Sequence, residues 1–330
     1  MQLEIEYSIE TRELKAPFTI SRGVLNEAEV LQVRVVDGGG TSGRGECYGV
    51  TYRGDTITCM VEQLERLRPA FRQGVDRRAL IDGKLLPPGG ARAALDAALW
   101  DLEAKMGLAC PFAANRLKPF PVTTARSIGI GSLEDYARDA ARFSSWPLLK
   151  IKLDNRSPLD AMAVVRQNAP HASLIVDPNQ SWSVEELKRF AKPLADLGIN
   201  LIEQPIPVGA QAGLDGWQSP IPLCADELVN THEDLAEAYG RFKFVNIKLD
   251  KVGGLTAALE LADKAQAAGF EIMVGCMAGT SLSMAPAMVL AQRCSIVDLD
   301  APLLLKTDIE AGFEYRDGHV AKVHSPLLWG

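Results

Sequence analysis

Lys150 and Lys152 stand two residues apart in the stretch Leu148-Leu149-Lys150-Ile151-Lys152-Leu153-Asp154. In a β-strand that spacing puts both ammonium groups on one face and Ile151 and Leu153 on the other. Further along, single charged residues close short apolar runs: Asp177 after Leu174-Ile175-Val176, Glu203 after Leu201-Ile202, Asp226 after Leu223-Cys224-Ala225, and Lys248 after Val245-Asn246-Ile247. Three carboxylates brought to one spot repel each other and raise each other's pKa, a conflict that a divalent cation resolves. Oxygen donors without His or Cys suit Mg²⁺ or Mn²⁺, with coordination positions left for water and substrate. An ammonium near such an ion and near a second ammonium is expected to have a depressed pKa and to act as a general base near neutral pH. With Lys150 and Lys152 on one side and Lys248 on the other, the pattern predicts removal of a proton from the α-carbon of a metal-bound carboxylate and its return from the opposite face. Taken singly, each residue has a plainer reading: Lys-x-Lys is usually a solvated strand edge, and an acid after a strand is often the N-cap of the next helix. Convergence of the three carboxylates, flanked by these lysines, is what argues for chemistry.

The positioning elements recur at a fixed interval. Lys152, Asp177, Glu203, Asp226 and Lys248 are separated by about one strand, one helix and two short loops each. Strands are expected near 122–130, 148–153, 173–177, 199–203, 221–225, 244–248, 271–276 and 295–300, with helix signals between them. These include a capping box at Ser183-Val184-Glu185-Glu186, Thr231 before an acidic first turn, and a capped amphipathic segment from Gly254 to Gly269. Eight βα steps in this length favour a closed parallel barrel, whose C-terminal strand ends form the reactive face. The first third reads differently. Residues 2–10 and 28–36 alternate as strands, 37–40 make a turn, and 17–23 read as a loop able to reach over something. Residues 55–72 and 90–106 turn helical, the second with an apolar stripe and a stop at Gly107. The expected division is an α+β capping domain over 1–115, a (β/α) barrel carrying the metal site over 116–308, and a return over 309–330 that packs on the capping domain.

Composition excludes several classes. With a net charge of −7 and a pI near 5.3, the chain lacks the basic surface that nucleic acid or anionic membrane selects. No run is long and apolar enough for a bilayer, and the N-terminus reads as a strand rather than a signal peptide. Six scattered cysteines without Cys-x-x-Cys favour reduced thiols in a cytoplasmic protein over zinc or a disulfide framework. Gly129-Ile130-Gly131 lacks the third glycine of a dinucleotide fingerprint, and the four histidines lie off the expected strand ends.

Lys150-Ile151-Lys152, Val176-Asp177-Pro178-Asn179-Gln180-Ser181-Trp182, Glu203-Gln204-Pro205, Ala225-Asp226-Glu227, the run from Asn246 to Gly254 and Asp298-Leu299-Asp300 resemble the enolase superfamily. The closest likeness is to its muconate-lactonizing subgroup and, within it, the dipeptide epimerases. The resemblance covers nearly the whole chain and implies an enolase-like α/β fold, a capping domain with a modified TIM-type barrel. It implies one Mg²⁺ per subunit on Asp177, Glu203 and Asp226, acid/base lysines at Lys152 and Lys248, and Lys150 as a helper near the substrate carboxylate. It further implies that Asp298 and Asp300 grip the α-ammonium of a dipeptide, and that Arg22 contacts the side-chain carboxylate of an Ala-Glu substrate from cell-wall peptide turnover. Relatives tend to carry Arg-Tyr-Gly-Glu where this chain has Tyr52-Arg53-Gly54-Asp55. The expected partner is a small dipeptide, with a homo-oligomer compatible with the family. A cycloisomerase or o-succinylbenzoate synthase of the same subgroup, or an epimerase for other dipeptides, is the alternative; Asp298 and Asp300 discriminate, because the former substrates carry no ammonium. A non-catalytic scaffold leaves the convergent charges without a reason, and a barrel hydrolase needs only one base.

Overall fold

The computed structural model describes residues 3–73, 77–81 and 85–330. Alternation near the N-terminus becomes an antiparallel sheet of β1 (Leu3–Ile20), β2 (Gly23–Asp37) and β3 (Ser42–Tyr48), in that order. Of residues 17–23, expected as a loop, 17–20 and 23 are strand instead. A register shift after Glu13 lets Phe18, Thr19 and Ile20 pair with Leu25, Val24 and Gly23, so only Ser21 and Arg22 remain at the turn. The helix Gly90–Lys105 lies on β3 so closely that a Cβ on Gly43 or Gly45 would sit 2.1 Å from the helix carbonyls of Ala98 or Ala94. This helix shows no single stripe: every residue from 90 to 102 is buried, Arg92, Asp96 and Asp101 included. Sheet covers one side and the barrel the other.

β4 (Val122–Thr123) leads into the barrel strands β5 (Arg126–Ile128), β6 (Leu148–Lys152), β7 (Ser173–Asp177), β8 (Ile199–Glu203), β9 (Leu223–Ala225), β10 (Phe244–Lys248), β11 (Glu271–Gly275) and β12 (Ile296–Val297). These last eight form one parallel sheet in chain order. Its ends meet where Ala125 N donates to Val297 O at 2.8 Å and Leu299 N donates to Thr124 Oγ1 at 2.8 Å. The expected strand over 122–130 is therefore split, and β4 joins a small sheet with β13 (Tyr315–Arg316) and β14 (His319–Val320). The tail thus pairs with the start of the barrel. Its last residues also reach the capping helix: Trp329 Nε1 donates to Ala97 O at 2.9 Å and Gly330 N to Asp101 Oδ1 at 2.9 Å.

Period-two alternation stacks the barrel interior in layers. Leu148, Ile175, Leu201, Cys224, Phe244, Met273 and Ile296, one per strand from β6 to β12, make an apolar floor. Two residues further along six of these seven strands stand Lys150, Asp177, Glu203, Asp226, Asn246 and Asp298, with Lys152, Lys248 and Asp300 one step higher. Met273 is followed at that spacing by Gly275, where a Cβ would lie 2.6 Å from Asn246 Oδ1. The interior is dry below and charged above.

Capping domain and barrel are joined at helix ends. Asp96 accepts from Thr256 N at 3.1 Å and Thr256 Oγ1 at 2.5 Å, at the start of the helix Leu255–Ala267. Glu46 accepts from Thr280 N at 2.7 Å and Thr280 Oγ1 at 2.9 Å, at the start of Ser281–Ala291. Carboxylates there satisfy orphan N–H groups and oppose the positive end of the helix dipole. Arg92 donates to the carbonyls of Val252 and Gly253. Gly253 and Gly254 take φ +87° and +110°, and a Cβ on either would meet Arg92 or Asp96 at 2.1 or 2.5 Å. The segment after Lys248 is thereby fixed from the capping side. Ser183 closes the expected capping box. Among the described residues no helix is long and apolar enough to cross a membrane.

Candidate active site

A cavity of about 460 Å³ opens between the barrel mouth and the β1–β2 turn, and Lys150, Lys152, Lys248, Asp298, Asp300 and Arg22 all line it. Eight of the nine residues singled out from the sequence for site roles are buried or nearly so at this mouth, and Arg22 hangs over it from the turn.

Strand order places the groups. Lys152 ends β6 and Lys248 ends β10, four strands on in an eight-stranded barrel, so they occupy opposite walls. Between them, on β7, β8 and after β9, are Asp177, Glu203 and Asp226, each 1% exposed or less. Lys150 Nζ is 3.2 Å from Asp177 Oδ2, 2.8 Å from Glu203 Oε2 and 2.8 Å from Asp298 Oδ2. Lys152 Nζ donates to Asp177 Oδ2 and Lys248 Nζ to Asp226 Oδ2, each at 2.6 Å. Asp298 keeps its other carboxylate oxygen without a hydrogen-bond partner. Asp300 accepts from Ser127 N at 2.7 Å and Ser127 Oγ at 3.3 Å, with Arg126 at 3.5 Å. Arg22 donates to Glu227 and stacks over the Tyr52 ring at 4.6 Å.

These contacts set the protonation balance. Burial and the adjacent Asp177 push the Glu203 carboxyl up to about 8, even with Lys150 beside it. Against their own burial, Asp177 is held low by Lys152 and Lys150, and Asp226 by Lys248 and Lys251. Burial and Asp298 raise Asp300. The expectation of depressed lysines presupposes a neighbouring divalent ion, and the protein's own groups act the other way at Lys150 and Lys248. Burial does favour the neutral amine, but Asp298, Glu203 and Asp177 outweigh it at Lys150 and Asp226 outweighs it at Lys248, so both ammonium groups lie well above their usual range. Mutual attraction between unlike buried charges prevails over repulsion between the lysines.

The donor set fits a hard cation. Among the described residues no three acidic, His or Cys side chains are drawn close enough to grip one ion as they stand, because the Lys150 ammonium lies between Asp177 and Glu203. Three oxygen anions on successive strands, a Glu203 strained toward protonation, and the unpartnered buried oxygens of Asn179 and Asp298 around the same mouth are the chemistry of a Mg²⁺ site.

Several residues missed in the sequence hold this arrangement. Lys251, fully buried, donates to Asp226 O, to Asp226 Oδ1 at 2.5 Å, to Val229 O at 3.1 Å and to Asn246 O at 3.3 Å. Asn246 Nδ2 donates to Glu203 Oε1 at 2.9 Å. Glu227 anchors Arg22. Asn179, Gln180 and Gln204 adopt left-handed backbone at φ +45°, +69° and +32°, a strain that recurs at functional sites. Lys251 lies in the Asn246–Gly254 run that carries the family resemblance, which gave it no role of its own.

Comparison with known proteins agrees with this geometry. The family model described as mandelate racemase / muconate lactonizing enzyme, N-terminal domain, matches residues 3–111, and that described as enolase C-terminal domain-like matches residues 133–326. The chain is 39% identical to the L-Ala-D/L-Glu epimerase of Escherichia coli (strain K12) over 93% of its own length and 96% of that protein. It is 44% identical to an N-acetyl-D-glutamate racemase of Pseudoalteromonas sp over 84% of its own length and 87% of that protein. A solved enolase family member from Agrobacterium tumefaciens, described as homologous to dipeptide epimerases and carrying sodium and L-Ala-L-Glu, superposes with a TM-score of 0.95 at 39% identity, covering 99% of this chain and 100% of that one. A dipeptide epimerase from Methylococcus capsulatus, solved with Mg and L-Arg-D-Lys, gives 0.87 at 29% identity over 98% and 97%.

Proposed function

The chain belongs to the enolase superfamily, in its mandelate racemase/muconate lactonizing enzyme branch, and from that membership we propose that it is a Mg²⁺-dependent dipeptide epimerase acting on L-Ala-D/L-Glu. The carrying observation is the placement of Lys152 and Lys248 on opposite walls of one cavity, across three buried carboxylates. A single general base serves a hydrolase; two, facing each other, serve inversion at one carbon.

Asp177, Glu203 and Asp226 would hold the ion. When bound, Mg²⁺ supplies positive charge against the carboxylate of the substrate's C-terminal residue while that residue's α-proton leaves. Lys152 and Lys248 work as a pair: one, having given up its own proton, takes the α-proton, and the other delivers one to the opposite face. Either becomes a base only after parting with the proton it now shares with Asp177 or Asp226. Lys150, fixed by three carboxylates, presents fixed positive charge at the base of the cavity, close to the substrate carboxylate. Asp298, with one oxygen already on Lys150 and one free, and Asp300 receive the α-ammonium. Arg22, backed by Glu227 and Tyr52, reads the glutamate side chain. The β1–β2 turn and the residues near Tyr52 roof the cavity and exclude water. A dipeptide of this kind would come from cell-wall peptide turnover, and six free cysteines support a cytoplasmic enzyme.

The 44% identical N-acetyl-D-glutamate racemase supports a second reading, racemisation of an N-acylated glutamate. Both substrates share a glutamate acylated on nitrogen; only the dipeptide brings an ammonium for Asp298 and Asp300. Incubation with L-Ala-L-Glu and Mg²⁺ in D₂O, following the glutamate α-proton by NMR, tests both readings. Loss of that signal with formation of L-Ala-D-Glu, at a kcat/KM well above that for N-acetylglutamate, is the expected result. Preference for N-acetylglutamate selects the second reading, preference for dipeptides without glutamate discards Arg22 as the reader, and no exchange with any of them overturns both.

A further inference from the structure

Gln204 follows Glu203 directly, is 1% exposed, and does not line the cavity. Its bonds run to the segments that carry Asp177 and Asp226. Its backbone O accepts from Gln180 N at 2.8 Å, in the loop after Asp177. Its backbone N donates to Cys224 O at 2.8 Å, on β9. Its side-chain Oε1 accepts from Asp226 N at 2.9 Å and from Leu228 N at 3.1 Å, while Nε2 donates to Ile206 O at 3.1 Å. All four polar groups of the residue are engaged. The backbone takes φ +32° to make this possible, a left-handed conformation that a side chain other than glycine occupies at a cost and that persists only where its surroundings enforce it.

We propose that Gln204 is a positioning residue that fixes the backbone spacing of the segments carrying Asp177, Glu203 and Asp226, so that only the side chains remain to be ordered when Mg²⁺ arrives. The inference rests on those three being the metal ligands. Its logic is that of outer-shell groups in metal sites, which restrict the ligands' freedom and so lower the entropic cost of capture. Gln204 acts on the backbone rather than on a carboxylate: Oε1 binds the amide of Asp226 itself, while Lys251 holds the same residue's carbonyl and Oδ1. Asp226 is therefore held at its N–H, its C=O and one carboxylate oxygen, leaving Oδ2 to face Lys248.

The test compares Gln204→Met, which keeps length and loses the acceptor, with Gln204→Glu, which keeps an acceptor for both amides. Mg²⁺ binding is measured by calorimetry and folding by circular dichroism. Gln204→Met should weaken Mg²⁺ by about 10- to 100-fold, with kcat at saturating Mg²⁺ recovering more fully than affinity; Gln204→Glu should bind within a few-fold of the parent. Equal Mg²⁺ affinity in Gln204→Met and parent would overturn the proposal, whereas failure of the parent to bind Mg²⁺ would instead overturn the metal reading. Amide hydrogen exchange of the unaltered, metal-free protein decides the matter even where Gln204→Met does not fold. Asp226 and Leu228 should already be strongly protected, and fast exchange at both would show that Gln204 does not preset the site.

Discussion

Along the Gly90–Lys105 helix, Arg92, Asp96 and Asp101 are as buried as the lysines of the barrel mouth, yet each of them has backbone groups for partners. Arg92 meets two carbonyls, Asp96 the amide and hydroxyl of Thr256, and Asp101 the amides of Arg44 and Gly330, with Lys105 paired to its second oxygen. At the barrel mouth the charges meet one another instead. Lys150 is shared among three carboxylates, Glu203 is pushed toward protonation, and buried oxygens on Asn179, Glu227 and Asp298 are left over. Both clusters are costly to bury, and the way each is closed tells its purpose. Charges that hold the two domains together are satisfied largely by fixed peptide dipoles and neighbouring hydroxyls; charges that do chemistry are satisfied by partners that can be exchanged for substrate.

If this contrast is right, the two clusters should fail in different ways. Lys152→Ala or Lys248→Ala should lower the epimerisation rate by about 10³-fold or more while the urea midpoint stays near the parent's, read from NMR turnover and denaturation on the same sample. Gly254→Ala attacks the other cluster, adding a Cβ 2.5 Å from Asp96 at φ +110°. It should cost about 3 kcal/mol of stability and leave the kcat of the folded protein near the parent's; a kcat loss without a stability loss would erase the distinction. Asp298→Asn removes charge aimed at the substrate ammonium. It should raise KM for L-Ala-L-Glu by about 30-fold, equivalent to about 2 kcal/mol, and leave KM for N-acetylglutamate much less affected.

A last effect, spread over about two pH units, concerns protonation. Burial pushes the Asp96 carboxyl up to about 6 from 3.8. Below pH 4 both folded and unfolded forms hold this proton. Between 4 and 6 only the folded form does, so this group's contribution to stability falls as pH rises, by at most about 1.4 kcal/mol per unit, and the loss is complete above 6. Asp96→Asn should remove that slope, seen as the difference between the two proteins' stability curves over pH 4–7. A difference curve that is flat would mean that Asp96 is closed by its partners more fully than its burial implies.

Sequence carried the chemistry further than the architecture around it. Lys150, Lys152, Asp177, Glu203, Asp226 and Lys248 were legible from alternation on a strand and a recurring βα interval, whereas Asp298 and Asp300 entered through the family resemblance, and these eight do share the mouth. What eluded that reading was long-range. Gln204, Asn246 and Lys251 act through bonds to residues 22 or more positions away in sequence or across strands, and a polar residue within an apolar run carries no mark of its partner. Residues 17–23 were misjudged because Pro17 and Gly23 are turn formers, whereas the register shift after Glu13 restores pairing beyond the proline. The Gly90–Lys105 helix was read as one-sided because Arg92, Asp96 and Asp101 look like a solvated face when their backbone partners in other elements are out of view.

Asp96 and Glu46 belong to the first domain, yet the helix starts they close, at Thr256 and Thr280, belong to the second. The two halves are therefore poor candidates for independent exchange. A barrel grafted beneath a foreign cap would begin two of its last helices with bare amide groups beside the wall that carries Lys248 and Asp298, and a cap moved alone would carry two acids with nothing to meet. Engineers who shuffle such parts would have to move Glu46, Asp96, Thr256 and Thr280 as one inheritance.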